Sequence, residues 1–285
     1  MTAAQTTRET VQHQVAGFTV TEWPGAGPVV LGLSGLGSHA PTWAPVAESV
    51  PHVRFLGIDL RGRGNGQGMA GPTGLRQHAQ DVAAVLAELD LTEVTVVGHS
   101  MGAFLAPLVA QEATGRVAKL VLVDGGIRPA FPFFMKPAVA RMAFKKDLGK
   151  GDRDFTTVDE ILKVGRVGPM LAGHPELEPV VRRILEAEAR RDTGVLHPKL
   201  DVPRAVEDAV DCFFGPDVTP ALEALTVPAD VFLAEHAKKQ NDKPFISDKA
   251  VEPWRTRQPL LRVKRLPGNH MTVLFAPEVA AAISA

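Results

Sequence analysis

Apolar positions follow two rhythms along this chain. The first is a set of short strand-like runs: Pro28–Leu33, Val53–Ile58, Glu93–Val97, Lys119–Val123, Ala229–Ala234 and Leu260–Leu266. Pro28–Leu33 is nearly continuously apolar and, like Lys119–Val123, suits a strand buried on both faces. Val11–Val15 and Phe18–Trp23, separated by Gly17, read as a hairpin. The second rhythm is helical. Between Gly74 and Asp90, Val82, Val85, Leu86 and Leu89 fall on one face. Further helices are expected from Pro41-Thr42, over Ala103–Ala110, and near Pro277–Ser284. Strands alternating with helices at this spacing imply a mostly parallel sheet of eight strands with helices on both faces.

The alternation stops between residues 127 and 226. This stretch contains Pro129, Pro132 and Pro137, a helical segment over Glu178–Arg191, and scattered aromatics, but no convincing strand. The expected organisation is a core formed by 10–126 and 227–285, with a helical cap at 127–226 inserted after the sixth strand. Residues 1–9 read as a polar tail. The pairs Lys145-Lys146 and Lys238-Lys239 read as solvated faces, as do Arg182-Arg183 and Arg190-Arg191.

Composition narrows the function classes. With 45% hydrophobic and 22% charged residues, the 285-residue chain can bury a sizeable core. A net charge of −1 gives no sign of nucleic acid or an anionic membrane as partner. The single cysteine, Cys212, excludes a disulfide framework and a cysteine-based metal site. The first residues lack an apolar signal region and no apolar stretch approaches a membrane span, so a cytoplasmic location is expected.

Candidate chemistry centres on Gly98-His99-Ser100-Met101-Gly102, which follows the Val94–Val97 run and precedes a helix. Strand, G-x-S-x-G and helix together make the context of a nucleophile elbow, with glycines permitting the sharp turn. A serine needs a base, and a histidine held by a carboxylate is the usual one. His270, after the last strand in Leu266-Pro267-Gly268-Asn269-His270, is the candidate base. His99 reads as packing or polar support, and His39 as either an oxyanion-loop or a surface residue. No two histidines have the spacing of a helical zinc site, so neither a metal nor a cofactor is expected. Three carboxylates could serve as the acid: Asp124 at the end of the sixth strand, or Glu235 or Asp242 after the seventh. Asp124 is preferred because a strand end holds it rigidly. The backbone N–H groups of Leu36, between Gly35 and Gly37, and of Met101 are the expected oxyanion donors.

These segments resemble the α/β-hydrolase superfamily, in its serine-nucleophile branch with a helical cap. Ser34-Gly35-Leu36-Gly37 resembles the H-G-x-G oxyanion loop, and Asp59-Leu60-Arg61-Gly62-Arg63-Gly64 the D-x-R-G-x-G loop. Gly98–Gly102 is similar to the elbow and Pro267–His270 to the histidine loop. The resemblance implies an order of nucleophile, acid and histidine that Ser100, Asp124 and His270 obey. Two departures stand out. Ser34 replaces the usual histidine, and Ala234-Glu235-His236-Ala237-Lys238-Lys239 replaces the family's G-x-x-D, which favours Asp124.

The implied activity is hydrolysis of a small, largely apolar ester, lactone or thioester. A carbon–carbon bond hydrolase, a cofactor-free haloperoxidase-like enzyme and a ligand receptor retaining the triad are the alternatives. A dinucleotide-binding reading competes through Gly35-Leu36-Gly37-Ser38-His39-Ala40 and Asp59. It leaves the elbow and His270 unexplained. In the cap, Phe131, Phe133, Phe134, Phe144, Phe155, Phe213 and Phe214, with Met135, Met142 and Met170, are expected to pack against the core, some of them lining an apolar pocket.

Overall fold

The computed structural model describes residues 8–130, 135–164, 167–171, 174–192, 194–238 and 242–285. Most of the expected tail, together with Phe131, Phe133, Phe134, Lys239 and the side chains of Arg190 and Arg191, lies outside the described residues.

Strands β1 (Val11–Val15) and β2 (Phe18–Trp23) form the expected antiparallel hairpin. They are followed by β3 (Val29–Leu33), α1 (Ala44–Ser49), β4 (Arg54–Ile58), α2 (Leu75–Glu88), β5 (Val94–His99), α3 (Met101–Glu112) and β6 (Val117–Val123). The inserted stretch carries α4 (Pro137–Leu148), α5 (Val158–Val164), α6 (Val167–Leu171), α7 (Glu178–Glu188), β7 (Ala189–Asp192), β8 (Val195–Pro198), α8 (Val202–Phe214) and α9 (Val218–Glu223). The chain then adds β9 (Ala229–His236), α10 (Asp248–Val251), α11 (Trp254–Arg257), β10 (Leu261–Asn269) and α12 (Pro277–Ser284).

Eight strands form one sheet in the order β1-β2-β4-β3-β5-β6-β9-β10. From β4 to β10 all neighbours are parallel; β1 and β2 run antiparallel at one edge. The central strands carry nearly continuous apolar runs because both faces are covered, whereas the edge strand β10 alternates with exposed Arg262 and Lys264. Along β6, Leu120 and Leu122 enter the core beneath α2 and α3, while Val121 and Val123 enter the core beneath α1 and α12. Side chains on a strand alternate between faces, so one run supplies two cores. No helix among the described residues is long and apolar enough to cross a membrane.

The inserted stretch corrects the sequence reading in one respect. It is mainly helical, but β7 and β8 pair as an antiparallel hairpin, with Ala189 opposite Pro198. The helix expected over 178–191 therefore stops at Glu188. Gly194, at φ +88°, supplies the left-handed turn residue, and Phe155 pairs with Leu196 on the outer side of β8. Four-residue strands carry too little alternation to stand out from a helical pattern.

Candidate active site

The elbow is built by steric exclusion. Ser100 has φ +54° and ψ −116°, a strained conformation for a residue with a side chain. The chain tolerates it because both flanking glycines sit where nothing larger fits. A Cβ on Gly98 would lie 2.2 Å from the Gly102 carbonyl oxygen, and one on Gly102 would lie 1.8 Å from that of Leu33. The Ser100 N–H is tied to the Val123 carbonyl at 2.9 Å, which locks the turn to β6.

Ser100, His270 and Asp124 form one hydrogen-bonded line. Ser100 Oγ lies 3.0 Å from His270 Nε2, and His270 Nδ1 lies 2.6 Å from Asp124 Oδ2. Asp124 is fully buried, and its other oxygen accepts the Ala234 N–H at 3.0 Å. Of the three candidate carboxylates, Asp124 is the one that touches the histidine. Glu235 is exposed, and the Asp242 carbonyl is engaged by the His236 ring at 3.2 Å.

The loop after β10 is shaped by Asn269, which the sequence reading did not single out. Its Oδ1 accepts the N–H groups of Met271 and Thr272, both at 3.1 Å, and its Nδ2 donates to the Met170 carbonyl at 2.7 Å. An Asn one residue before the histidine, closing a turn two and three residues on, was a legible signal. His99 supports the same loop. Its Nε2 donates to the His270 carbonyl at 2.7 Å, and the two rings are 5.0 Å apart. Burial, reinforced by the neighbouring His270, pushes the His99 pKa down to about 4.

Leu36 and Met101 both line the cavity next to Ser100. Their loops are held firmly. Ser34, in place of a histidine, is buried and donates its hydroxyl to the His39 carbonyl at 3.0 Å, closing the loop 34–39. His39 is buried rather than on the surface, and its N–H reaches Glu188 Oε1 at 3.3 Å. Burial raises the Glu188 pKa despite donors from His39 and Thr42. Asp59 organises two loops, accepting the N–H groups of Ala40 (3.0 Å) and Asn65 (2.9 Å). Both of its oxygens are thereby used within the fold, where the dinucleotide reading needed a free carboxylate. Among the described residues no group of three or more His, Cys, Asp or Glu side chains is placed to hold a metal ion.

The cavity beside Ser100 has a volume of about 200 Å³. Phe104 from α3, Phe144 from α4, Met170 from α6, Phe213 from α8 and Phe245 contribute most of its apolar wall. Phe213 is the hub: it stacks on Phe144 at 5.7 Å and meets Phe104 and Phe245 edge-on. Of the other singled-out residues, Phe155 packs in a separate small cluster with Val158, Ala189 and Leu196, and Met142 is exposed. Lys238, expected as a solvated residue, is exposed but also lines the cavity.

A family model described as alpha/beta hydrolase fold matches residues 28–166. A provisional carbamate hydrolase of Caulobacter segnis is 37% identical over 117 residues, covering 39% of this chain and 43% of that protein. An esterase of Mycobacterium tuberculosis is 27% identical over 187 residues, covering 65% and 61%. The chain thus spans less than two thirds of the length of either curated relative. The crystal structure of E-2-(acetamidomethylene)succinate hydrolase superposes with a TM-score of 0.75 at 21% identity, covering 96% of this chain and 98% of that one. The matched model, the order and direction of the eight strands and this likeness lead to one conclusion: the chain has the α/β-hydrolase fold.

Proposed function

We propose that this protein is a serine hydrolase that cleaves a small, largely apolar carboxylic ester, lactone or thioester through an acyl-enzyme. Ser100 Oγ attacks the carbonyl carbon while His270 Nε2 takes its proton. Asp124 holds the imidazole by Nδ1–H and stabilises the imidazolium. The N–H groups of Leu36 and Met101 receive the oxyanion, the latter at the start of α3 where the helix dipole adds to it. Collapse of the tetrahedral intermediate returns the proton from His270 to the leaving alcohol or thiol. Water, deprotonated by His270, then releases the acid and restores Ser100.

The observation that carries this reading is the Ser100–His270–Asp124 line opening onto an apolar cavity. A volume of about 200 Å³ falls below the range common for drug-sized ligands, which favours a short acyl group. A fluorophosphonate probe is expected to label Ser100, and a panel of p-nitrophenyl esters to show highest kcat/KM at short or aromatic acyl groups. An active preparation that resists the probe would reject the acyl-enzyme route. Tight ligand binding without turnover in a single-turnover assay would point to a receptor.

Lys238 favours a second, narrower reading, in which the substrate carries a carboxylate at the end remote from the scissile bond. Its ammonium is the one permanently cationic group among the described lining residues. Hemisuccinate-type esters should then outperform their neutral methyl-capped counterparts, and Lys238→Met should abolish that preference while leaving neutral esters unaffected. Equal rates for the two ester classes would remove this reading and leave the broader one intact.

A further inference from the structure

The loop after β4 contains an arginine that the proposed chemistry does not use. Arg63 is 1% exposed, and its guanidinium spends its donors in one small region. Nε–H donates to the Leu36 carbonyl at 3.0 Å, and one Nη to the Arg61 carbonyl at 2.8 Å. The other Nη lies 2.7 Å from Asp208 Oδ2 and 3.2 Å from Met101 Sδ. One planar group therefore touches both residues whose N–H groups flank the Ser100 cavity.

Asp208 belongs to α8, in the inserted stretch, and is fully buried. Its Oδ1 accepts the Thr73 hydroxyl at 2.6 Å and the Gly74 N–H at 2.8 Å; Oδ2 also meets His78 Nε2 at 3.0 Å. Burial opposes its charge, but Arg63, His78 and Thr73 more than offset this and hold its pKa below the usual carboxylate range. Arg63 is thus anchored by a fixed anion that arrives from another layer of the molecule.

Leu36 needs such an anchor. It stands between Gly35 and Gly37, whose backbones rotate with little steric resistance. The peptide before Leu36 is held by the Ser38 N–H, which donates to the Gly35 carbonyl at 3.1 Å. The peptide after it is held by Arg63. Without the second tie, the Leu36 segment can reorient and carry its N–H away from the carbonyl being attacked.

We propose that Arg63 is a positioning residue for the oxyanion hole, and that Asp208 makes this positioning depend on the docked inserted segment. The proposal rests on the serine-hydrolase reading above. A purely structural ion pair would leave a different trace. Replacing a buried pair with uncharged partners is often neutral for stability, whereas stranding one charge is costly. The double variant Arg63→Gln/Asp208→Asn removes both charges together, and Arg63→Lys keeps the charge while losing the planar fork.

The experiment measures kcat and KM on a p-nitrophenyl ester, the rate of fluorophosphonate labelling at Ser100, and Tm. Arg63→Lys and the double variant should lower kcat and the labelling rate by about 10- to 100-fold, the scale of a small misplacement in a catalytic constellation. KM should stay within about threefold, since the apolar wall is untouched. The double variant should regain most of the Tm that Arg63→Gln loses, but none of the kcat. Wild-type kcat in either variant would overturn the proposal, as would losses in kcat that follow Tm across the series. A wild-type protein that neither labels nor turns over would instead reject the hydrolase reading, and this proposal with it.

Discussion

Ser100, Asp124 and His270 each follow a parallel strand, whereas Phe144, Met170 and Phe213, which line the cavity beside Ser100, and Asp208, which holds Arg63, come from helices of the inserted stretch. The first group is held by backbone hydrogen bonds to neighbouring strands. Ser100 N–H reaches Val123, Asp124 N–H reaches Phe232 at 2.8 Å, and the Asp124 side chain takes Ala234 N–H. The second group is held by side chains, through ring contacts and the Asp208 network. A sheet edge can fix three atoms within hydrogen-bond range, but it offers little variety of surface. Helices laid over it supply shape, and their side-chain contacts can change without disturbing the strands. Chemistry and selectivity should therefore separate on mutation.

The sharpest break should come at the strand ends. Ser100→Ala is expected to cost roughly 10³-fold or more in kcat with Tm unchanged, read by ester turnover and thermal melting. A comparable loss is expected from Asp124→Asn, while Asp242→Asn should stay within about twofold; the reverse pattern would move the acid to the loop after β9. On the other side of the comparison, Phe213→Leu should alter selectivity. It should raise KM for aromatic esters about tenfold, leave kcat for acetyl esters near wild type, and thereby test whether the inserted helices act on binding alone.

The smallest effect concerns His99, where the two regions give way to a shared dependence on pH. Its folded pKa of about 4 lies below the ordinary histidine value of about 6.5. The unfolded chain therefore binds the proton more readily. His99 stabilises the fold above about pH 6.5, and this contribution is lost as pH falls toward 4. Between pH 7 and 5 the loss is about 2 kcal/mol. In urea denaturation, His99→Gln should shallow the fall in stability over that window; an unchanged slope would show that His99 titrates normally.

Much of the strand-end region was legible because it depends on local rules. G-x-S-x-G after an apolar run specifies a turn that only glycines permit, and His270 sits in the loop that the topology returns to the same edge. Asp124 was one of three carboxylates, since the loop after β6 and the loop after β9 both end near His270. The Asp208 network and Glu188 were missed. Asp208 does leave a trace: it lies on the face of α8 that buries Ala205 and Cys212, a poor place for an isolated carboxylate. What the trace cannot give is the partner, since Arg63 is 145 positions away in the chain.

The sequence by itself determined the sheet and singled out Ser100 and His270 as candidates, because apolar runs and glycine-flanked turns constrain the chain over a few residues at a time. Only the tertiary structure decided which carboxylate meets His270, which phenylalanines wall the cavity, and that Arg63 links the Leu36 loop to the inserted helices. Those depend on side chains meeting across hydrogen-bond and van der Waals distances. Such contacts are fixed only when every layer has packed, so no local pattern carries them.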